Sequence, residues 1–346
     1  MSNVETFNFA SLDSLLGNFA TRPNALELDA RLQEVMQACL DARLAELPLP
    51  GGGETLARWR ALAQVAGADL ALAKLYEGHT DAKAILAELA SVDLDRPGIW
   101  GVWAAETPAA RVQISPSGSS QVLLNGRKDW CSGALQIDHA LLTAWDAQGQ
   151  PQLVAITLEQ PEVQVQVRGW QAVGMGPTAS VSVQLDDAIG YRVGEPGDYL
   201  SRPGFWHGGA GIAACWYGAA RALADYLRET CRKPREDQHA DAHLGAVDAA
   251  LYGAACALRH CADWIDRHPR DSAEYPVRRL RAQVEAAVSE VQSHVSRALG
   301  ATPFCQSAPF ARLSSDLQVF IRQSHAERDL TELGRQAATP AGGWQL

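Results

Sequence analysis

The pattern of apolar and polar positions divides the chain into a helical region, an extended region and a second helical region. Near the N-terminus, apolar residues recur every three or four positions, which is the spacing of one helix face; they are Leu28, Leu32, Val35, Met36 and Leu40. After a break at "LPLPGGGE", the stretch "TLARWRALAQVAGADLALAKLYEG" predicts a helix that Gly78 ends as a C-cap. A further helix, "HTDAKAILAELA", precedes a boundary at Arg96-Pro97-Gly98.

From Ile99 to about Gly197 the pattern alternates with a period of two, as in strands with one buried face. Short segments such as "ARVQISPSG", "SQVLLNG", "VQVQVRGW" and "SVSVQLDDAIG" are separated by Gly, Pro and Asn-Gly. The segment "HALLTAW" predicts a buried strand. Asn125-Gly126 predicts a hairpin turn, because both residues tolerate positive φ. This region predicts a β-sandwich or β-barrel domain.

After Pro203 the chain returns to long helical patterns, beginning with the Ala-rich "GGAGIAACWYGAARALADYLRE". The predicted fold class is therefore α+β multi-domain, with an N-terminal helical domain (1–98), a central β domain (99–200) and a C-terminal four-helix bundle (201–346). The small residues of 208–224 suit close contact between helices. We therefore expect a homodimer or a homotetramer.

Composition and charge narrow the class of protein. The formal net charge of -10 argues against a nucleic-acid partner, which usually requires a basic face. The seven cysteines form no CxxC pair, so we expect reduced core cysteines and no metal site. The chain shows neither a signal peptide at its N-terminus nor an apolar run of membrane-spanning length, and a cytoplasmic location without a membrane partner is expected.

The candidate chemistry lies in "NGRKDWCSGALQIDHALLTAWD", residues 125–146. The piece "WCSGA" is rich in small residues, which let a backbone approach a large flat group. Trp130, Cys131 and Ser132 are therefore candidate binding residues. The alternative is that Trp130 fills a core and Ser132 ends a strand.

This stretch is one of three that resemble the acyl-CoA dehydrogenase family. "NGRKDWCSGA" resembles the family's Asn-Gly-x-Lys-x-Trp-Ile-Thr-Asn-Gly, and "WQAVGMGPTASVSVQLDDA" resembles its Gly-Met segment leading to Phe-Asp-x-Val. The third, "PGFWHGGAGIAACWYGAARALADY", is similar to the first helix of the C-terminal bundle. The resemblance implies FAD bound between the β domain and the bundle.

Carried over residue by residue, the resemblance gives this chain its cofactor site. Trp130 would lie beside the flavin ring, and Cys131 and Ser132 would line the ring through backbone groups. The Ser132 hydroxyl would approach N5 or O4, where a donor stabilises the negative charge that accumulates on reduction.

Two other cofactor contacts follow from stretches that depart from the family pattern. In "AAETPAARVQI" the residues Glu106 and Thr107 are expected to touch the flavin, although Ala109-Ala110-Arg111 replace the family's Gly-Ser-Asp. In "RKPRED" Arg232 and Arg235 replace an Arg-x-x-Phe-Gly turn and are expected to hold the FAD diphosphate.

The catalytic base of the family is a Glu in Tyr-Glu-Gly-Thr near the C-terminus. Here "YEG" occurs at 76–78, far from that place, and is interpreted as a helix end. The corresponding region is "SHAERDLTELG", so Glu327 is the candidate base. His325 is the candidate for the related flavin monooxygenases, which use reduced flavin and oxygen. A solvated helix face is the alternative for both residues.

The resulting function prediction is α,β-dehydrogenation of a small-molecule acyl thioester, such as an acyl-CoA, by an FAD-dependent oxidoreductase. Two alternatives stay open at this point. One is a flavin-dependent monooxygenase of the same fold, and the other is a non-catalytic relative that has lost its flavin.

Overall fold

The computed structural model describes residues 7–20, 28–90, 94, 96–107, 109–116, 118, 120–167, 169–178, 180–233, 238–339 and 343–344. The helices are α1 (Phe9–Ala20), α2 (Leu28–Asp41), α3 (Thr55–Ala68), α4 (Leu70–Leu89), α5 (Asp198–Ser201), α6 (Pro203–Cys231), α7 (His239–Arg267), α8 (Glu274–Leu299), α9 (Thr302–Gln306), α10 (Ala308–Phe320) and α11 (Glu327–Ala337). The strands are β1 (Trp100–Trp103), β2 (Val112–Pro116), β3 (Gln121–Cys131), β4 (His139–Trp145), β5 (Pro151–Thr157), β6 (Val163–Gln166) and β7 (Val181–Val193). The protein is of the mixed α+β class, as the sequence predicted.

The chain forms two compact units. One consists of Met1–Leu47 and Ala71–Phe205, and the other of Pro48–Leu70 and Trp206–Leu346. The division into three domains (1–98, 99–200 and 201–346) follows helix and strand content instead of compactness, and it stays a prediction.

The sheet of the first unit closes on itself. Its strands follow the order β1-β4-β2-β3-β7-β5, and β5 also pairs with β4. Five strands therefore form a barrel-like core, to which β1 adds in parallel along β4 and β6 adds along β7. The strand β4 is buried along six of its seven residues, as the apolar run "HALLTAW" predicted.

Asn125-Gly126 does not form the predicted hairpin turn. Both residues lie inside β3, where the pairing with β7 shifts register between Leu124 and Gly126. Gly126 has φ +125°, and a Cβ there would collide with the carbonyl oxygen of Arg111, the residue just before β2. The pair is therefore a bulge that permits close strand contact, because pairing on both sides of β3 outweighs the local turn preference.

The predicted helix end at Gly78 is also wrong. The helix α4 continues from Leu70 to Leu89, and the break lies earlier, at Asp69. Gly78 lies inside α4, where a Cβ would stand in ordinary van der Waals contact with the backbone of Gly101 in β1, at 3.8 Å. Glu77 is buried inside the helix, where its carboxylate accepts a hydrogen bond from Lys74 Nζ at 2.9 Å.

The second unit is helical, and its small residues bring helices together within the chain. A Cβ on Gly218 of α6 would collide with the Ala63 backbone of α3, and one on Gly211 would lie 3.1 Å from Leu62 Cδ1. The small-residue face of 208–224 thus already packs on α3, and the homo-oligomer stays a prediction. The last predicted helix is interrupted between α10 and α11, where Ala326 has φ +46°.

In the part of the chain that the structure describes, no helix is long and apolar enough to cross a membrane. Within the same residues, no three His, Cys, Asp or Glu side chains come together in a group that could hold a metal ion.

Candidate functional site

The end of β3 turns sharply at Trp130. Pairing of β3 with β7 shifts register between Lys128 and Cys131, and Trp130 has φ +62°, a left-handed conformation that costs a non-Gly residue about 1–2 kcal/mol. The indole is 54% exposed, whereas Cys131 is fully buried. The turn therefore presents a large aromatic side chain to solvent from a strained backbone, which the neighbouring contacts must hold in place.

An ion pair between a buried Lys and a partly exposed Glu anchors one side of this turn. Lys128 is 2% exposed, and its Nζ donates to Glu106 Oε1 at 2.6 Å and to Thr143 Oγ1 at 2.7 Å. Glu106 also accepts hydrogen bonds from the Thr143 hydroxyl and the Trp145 indole. Burial by itself raises the pKa of Glu106, but the bonds from Lys128, Thr143 and Trp145 outweigh it and lower the pKa below its ordinary value.

Asp129 anchors the other side. Its carboxylate accepts from Ser182 Oγ at 2.7 Å, from Thr107 Oγ1 at 3.3 Å and from Arg127 Nη2 at 3.4 Å. It also forms an ion pair with Arg127, whose Nε lies 3.0 Å from Asp129 Oδ1. Burial by itself raises the pKa of Asp129, but the Ser182 bond and the Arg127 charge lower it overall. Thr107, predicted to touch a flavin, and Glu106 thus both contact the residues that precede Trp130.

The backbone of the turn is largely used by the protein itself. The Ser132 N–H donates to Trp130 O at 3.0 Å, and the Ser132 carbonyl accepts from the Trp103 indole at 3.0 Å. The Gly133 N–H donates to Thr178 O at 2.8 Å. These bonds leave the Ser132 hydroxyl as the group best placed to act on a ligand.

The side chain of Cys131 has no access to a ligand. It is fully buried, and its thiol donates to the Lys128 carbonyl at 3.3 Å. Burial raises the pKa of this thiol far above its ordinary value, although Lys128 offsets part of the effect. A role for Cys131 at the site is therefore restricted to its backbone.

The Trp130 indole packs against a second aromatic ring. The rings of Trp130 and Trp170 meet edge to face, with centroids 6.3 Å apart and planes at 90°. The Trp170 indole donates to Gly174 O at 3.3 Å, and Val173 in the same loop is 88% exposed. An exposed indole two residues away from a hydroxyl donor is compatible with binding of a flat, polar-edged ring, such as that of a flavin.

The remaining predicted residues belong to the second unit. Arg232 is exposed and forms an ion pair with Glu229, while Arg235 lies outside the described residues. Glu327 is the exposed first residue of α11. His325 is exposed as well, with Nδ1 3.8 Å from Asp329 Oδ1.

Sequence reasoning missed the residues that hold the turn. Lys128 is part of the quoted Asn-Gly-x-Lys-x-Trp pattern, which was a signal that this Lys has a fixed task. Asp129 had no such signal. Ser180 lies within the quoted "WQAVGMGPTASVSVQLDDA", but its proximity to Ser132 follows from the pairing of β3 with β7, 48 positions apart along the chain.

Comparison with known proteins gives no match to a protein-family model and no sequence match to a curated protein. Solved structures do match. TdsC from Paenibacillus sp. A11-2, in complex with FMN and indole, has a TM-score of 0.79 at 18% identity, over 95% of this chain and 96% of TdsC. KijD3, in complex with FMN and a dTDP-sugar, has a TM-score of 0.80 at 19% identity, over 95% of this chain and 92% of KijD3.

The methanesulfinate monooxygenase MsuC from Pseudomonas fluorescens is similar too, with a TM-score of 0.77 at 19% identity, over 97% of this chain and 98% of MsuC. These proteins belong to the acyl-CoA dehydrogenase fold superfamily of flavin enzymes. The likeness extends over nearly the full length of each chain. This protein therefore has the acyl-CoA dehydrogenase fold, as a divergent example of it.

Proposed function

We propose that this protein is a flavin-dependent monooxygenase of small molecules, and that its flavin is FMN. The observation that carries the proposal is the turn at residues 130–132. It presents an exposed indole and a hydroxyl pair together, in a fold shared with FMN-bound TdsC. When bound, reduced flavin supplies two electrons, with which oxygen places one atom in a substrate and releases the other as water.

Each site residue has a role in this proposal. The Trp130 indole binds a face or edge of the flavin ring, and the Ser132 hydroxyl donates to a polar atom at its rim. Lys128, Glu106 and Asp129 do not contact the ring. They hold the strained turn that presents Trp130.

FMN is preferred to the FAD that the sequence predicted. Of the solved structures with this fold, TdsC and KijD3 are bound to FMN. FAD requires additional ligands for its second phosphate and adenosine; of the two residues predicted to hold the diphosphate, Arg232 is exposed and paired with Glu229, and Arg235 lies outside the described residues. The choice between the two cofactors is tested by titration of each into the protein.

The dehydrogenase predicted from the sequence is the second candidate. It is supported by the resemblance of "NGRKDWCSGA" to the dehydrogenase motif. It also requires a carboxylate within reach of the carbon next to a thioester, and Glu327 is its candidate base. The monooxygenase is favoured because dibenzothiophene monooxygenase (TdsC) and methanesulfinate monooxygenase (MsuC) are both among the proteins of this fold.

The test has three parts on the same preparation. Titration with FMN and FAD, followed by flavin fluorescence, measures binding. Anaerobic mixing of the oxidised holoprotein with a panel of acyl-CoAs tests for bleaching of the flavin absorbance. Chemically reduced FMN is then mixed with ¹⁸O₂ and a panel of indole, dibenzothiophene and methanesulfinate, and the products are analysed by mass spectrometry.

FMN binding with ¹⁸O in a product supports the proposal. Bleaching by an acyl-CoA that disappears in Glu327→Gln supports the dehydrogenase instead. Failure to bind either flavin would favour the non-catalytic alternative. Flavin binding without ¹⁸O in any product of the panel counts against the monooxygenase.

A further inference from the structure

Two hydroxyl groups from distant parts of the chain meet at the candidate site. Ser132 Oγ, just beyond the end of β3, lies 2.7 Å from Ser180 Oγ, just before the start of β7. That separation is typical of a strong O–H···O hydrogen bond. Both side chains are only partly buried. The pair is therefore accessible to a ligand and internally bonded at the same time.

The protons of the pair determine what a ligand can receive. Each hydroxyl has one proton to donate and two lone pairs to accept with, and only one proton can lie between the two oxygens. If Ser132 donates to Ser180, its proton is used and it offers a ligand only lone pairs. If Ser180 donates to Ser132, the Ser132 proton is free for an acceptor atom of the ligand.

The backbone restricts where the Ser132 hydroxyl can turn. Its N–H and its carbonyl are both bonded within the protein, to Trp130 O and to the Trp103 indole. The main chain of this residue is therefore fixed, and rotation about its side chain is the freedom that remains. Ser180 is the neighbour that limits this rotation.

We propose that Ser180 is a positioning residue for the flavin. Its hydroxyl donates to Ser132 Oγ and thereby directs the Ser132 proton to an acceptor on the oxidised flavin ring. The same pair can reverse its direction, because either oxygen can be the donor. Ser132 can then accept from a ring N–H of the reduced flavin while it donates to Ser180. This inference rests on the proposed flavin site and adds a residue to it.

If Ser180 acts by orienting Ser132, substitution of Ser180 should change the affinity for FMN only when Ser132 is present. In Ser180→Ala the Ser132 hydroxyl keeps its proton but loses the bond that orients it toward the flavin, so the dissociation constant of oxidised FMN should rise about three- to tenfold. Ser180→Thr keeps a hydroxyl and should bind FMN within about twofold of the wild type. In a Ser132→Ala background, Ser180→Ala should have no further effect, since the group that it orients is absent.

The experiment is a titration of FMN into the full chain, followed by flavin fluorescence and by the visible spectrum of the bound flavin. It compares wild type, the two Ser180 variants, Ser132→Ala and the double variant. Ser115→Ala, on β2 with an exposed side chain, is the matched control. Thermal unfolding of each flavin-free protein shows whether a change in affinity reflects a change in folding.

The results test the positioning role of Ser180 separately from the proposed flavin-binding function. Weaker binding in Ser180→Ala, rescue in Ser180→Thr and no added loss in the double variant support the positioning role. Unchanged binding in Ser180→Ala, or losses that multiply in the double variant, overturn it and leave the flavin site intact. A loss of affinity matched by a lower melting temperature of the flavin-free protein also overturns it. A wild type that binds no flavin refutes the proposed function itself.

Discussion

The ion pair of Glu106 with Lys128 offers a quantitative test of how the turn at Trp130 is held. Lys128 is 2% exposed, so its charge depends on Glu106 and on the two oxygen atoms of Thr143. Removing one partner of a buried pair costs about 3–5 kcal/mol, because the other charge stays buried. The side chain of Glu106 is 34% exposed, and water offsets part of that cost. We therefore expect Glu106→Gln to lower the free energy of unfolding by about 3 kcal/mol, at the low end of that range.

The measurement is urea unfolding at pH 7, followed by tryptophan fluorescence, with the free energy taken from midpoint and slope. Adding Lys128→Met removes the isolated charge, so the double variant should be more stable than Glu106→Gln alone by at least about 1 kcal/mol. The control is Glu46→Gln, which breaks the exposed pair with Arg43 and should cost well under about 1 kcal/mol.

A cost of less than about 1 kcal/mol for Glu106→Gln would refute the argument that the charge on Lys128 depends on this carboxylate. So would a double variant less stable than the single one. Either result would mean that the oxygens of Thr143 or local water suffice for Lys128.

Three further predictions concern the same turn. Because the pKa of Glu106 lies below its ordinary value in the folded protein, the stability that it contributes is complete above the pKa of an unfolded-chain Glu. That stability is lost as the pH falls through the lower folded-state pKa, so urea unfolding of Glu106→Gln should depend less on acid pH than that of the wild type. Gly133→Ala should lower the free energy of unfolding, measured in urea, by about 3 kcal/mol, since φ is +73° and the new Cβ collides with Leu75. Gly149→Ala, the control, has φ +74° in open space and should lower it by about 1 kcal/mol. Trp130→Gly should change the free energy of unfolding by less than about 1 kcal/mol, because relief of the strained φ offsets lost contact, while the affinity for FMN measured by fluorescence falls.

The order of helices and strands could be predicted because each long element has its own hydrophobic pattern. The strand β4 is buried on both faces and appears as an unbroken apolar run, and α7 and α8 repeat apolar residues at helical spacing. Such patterns are local, and burial in the folded protein agrees with them.

Two predictions were wrong at positions where the folded structure outweighs the local conformational preference of glycine. Gly78 and Gly126 were interpreted as a helix end and a turn, since glycine favours both. In the structure Gly126 allows the Arg111 backbone to come close, whereas Gly78 lies inside a helix with room for a Cβ. One sequence does not distinguish a glycine needed for its dihedral angles from one needed for its missing side chain.

The candidate site could likewise be predicted only in part from the sequence. The resemblance led to Trp130 and Ser132, because these residues lie within one continuous motif. The groups that hold and direct them come from elsewhere: Glu106 from the loop after β1, Thr143 from β4, and Ser180 from the approach to β7. Strand pairing brings these side chains together, and a pairing register cannot be read from a motif.

The sequence motifs of this chain resemble those of dehydrogenases, whereas the solved structures that share its fold include monooxygenases. The origin of the site residues in several elements helps to explain this difference. In the proposed function the "WCSGA" turn would supply a ring face and a donor, and neither group decides between the two types of reaction. The reaction is decided by what acts on the substrate. A dehydrogenase needs a carboxylate beside the substrate carbon, whereas a monooxygenase needs reduced flavin and oxygen. Replacing Glu327, and not altering the turn, is therefore the change that distinguishes the two activities.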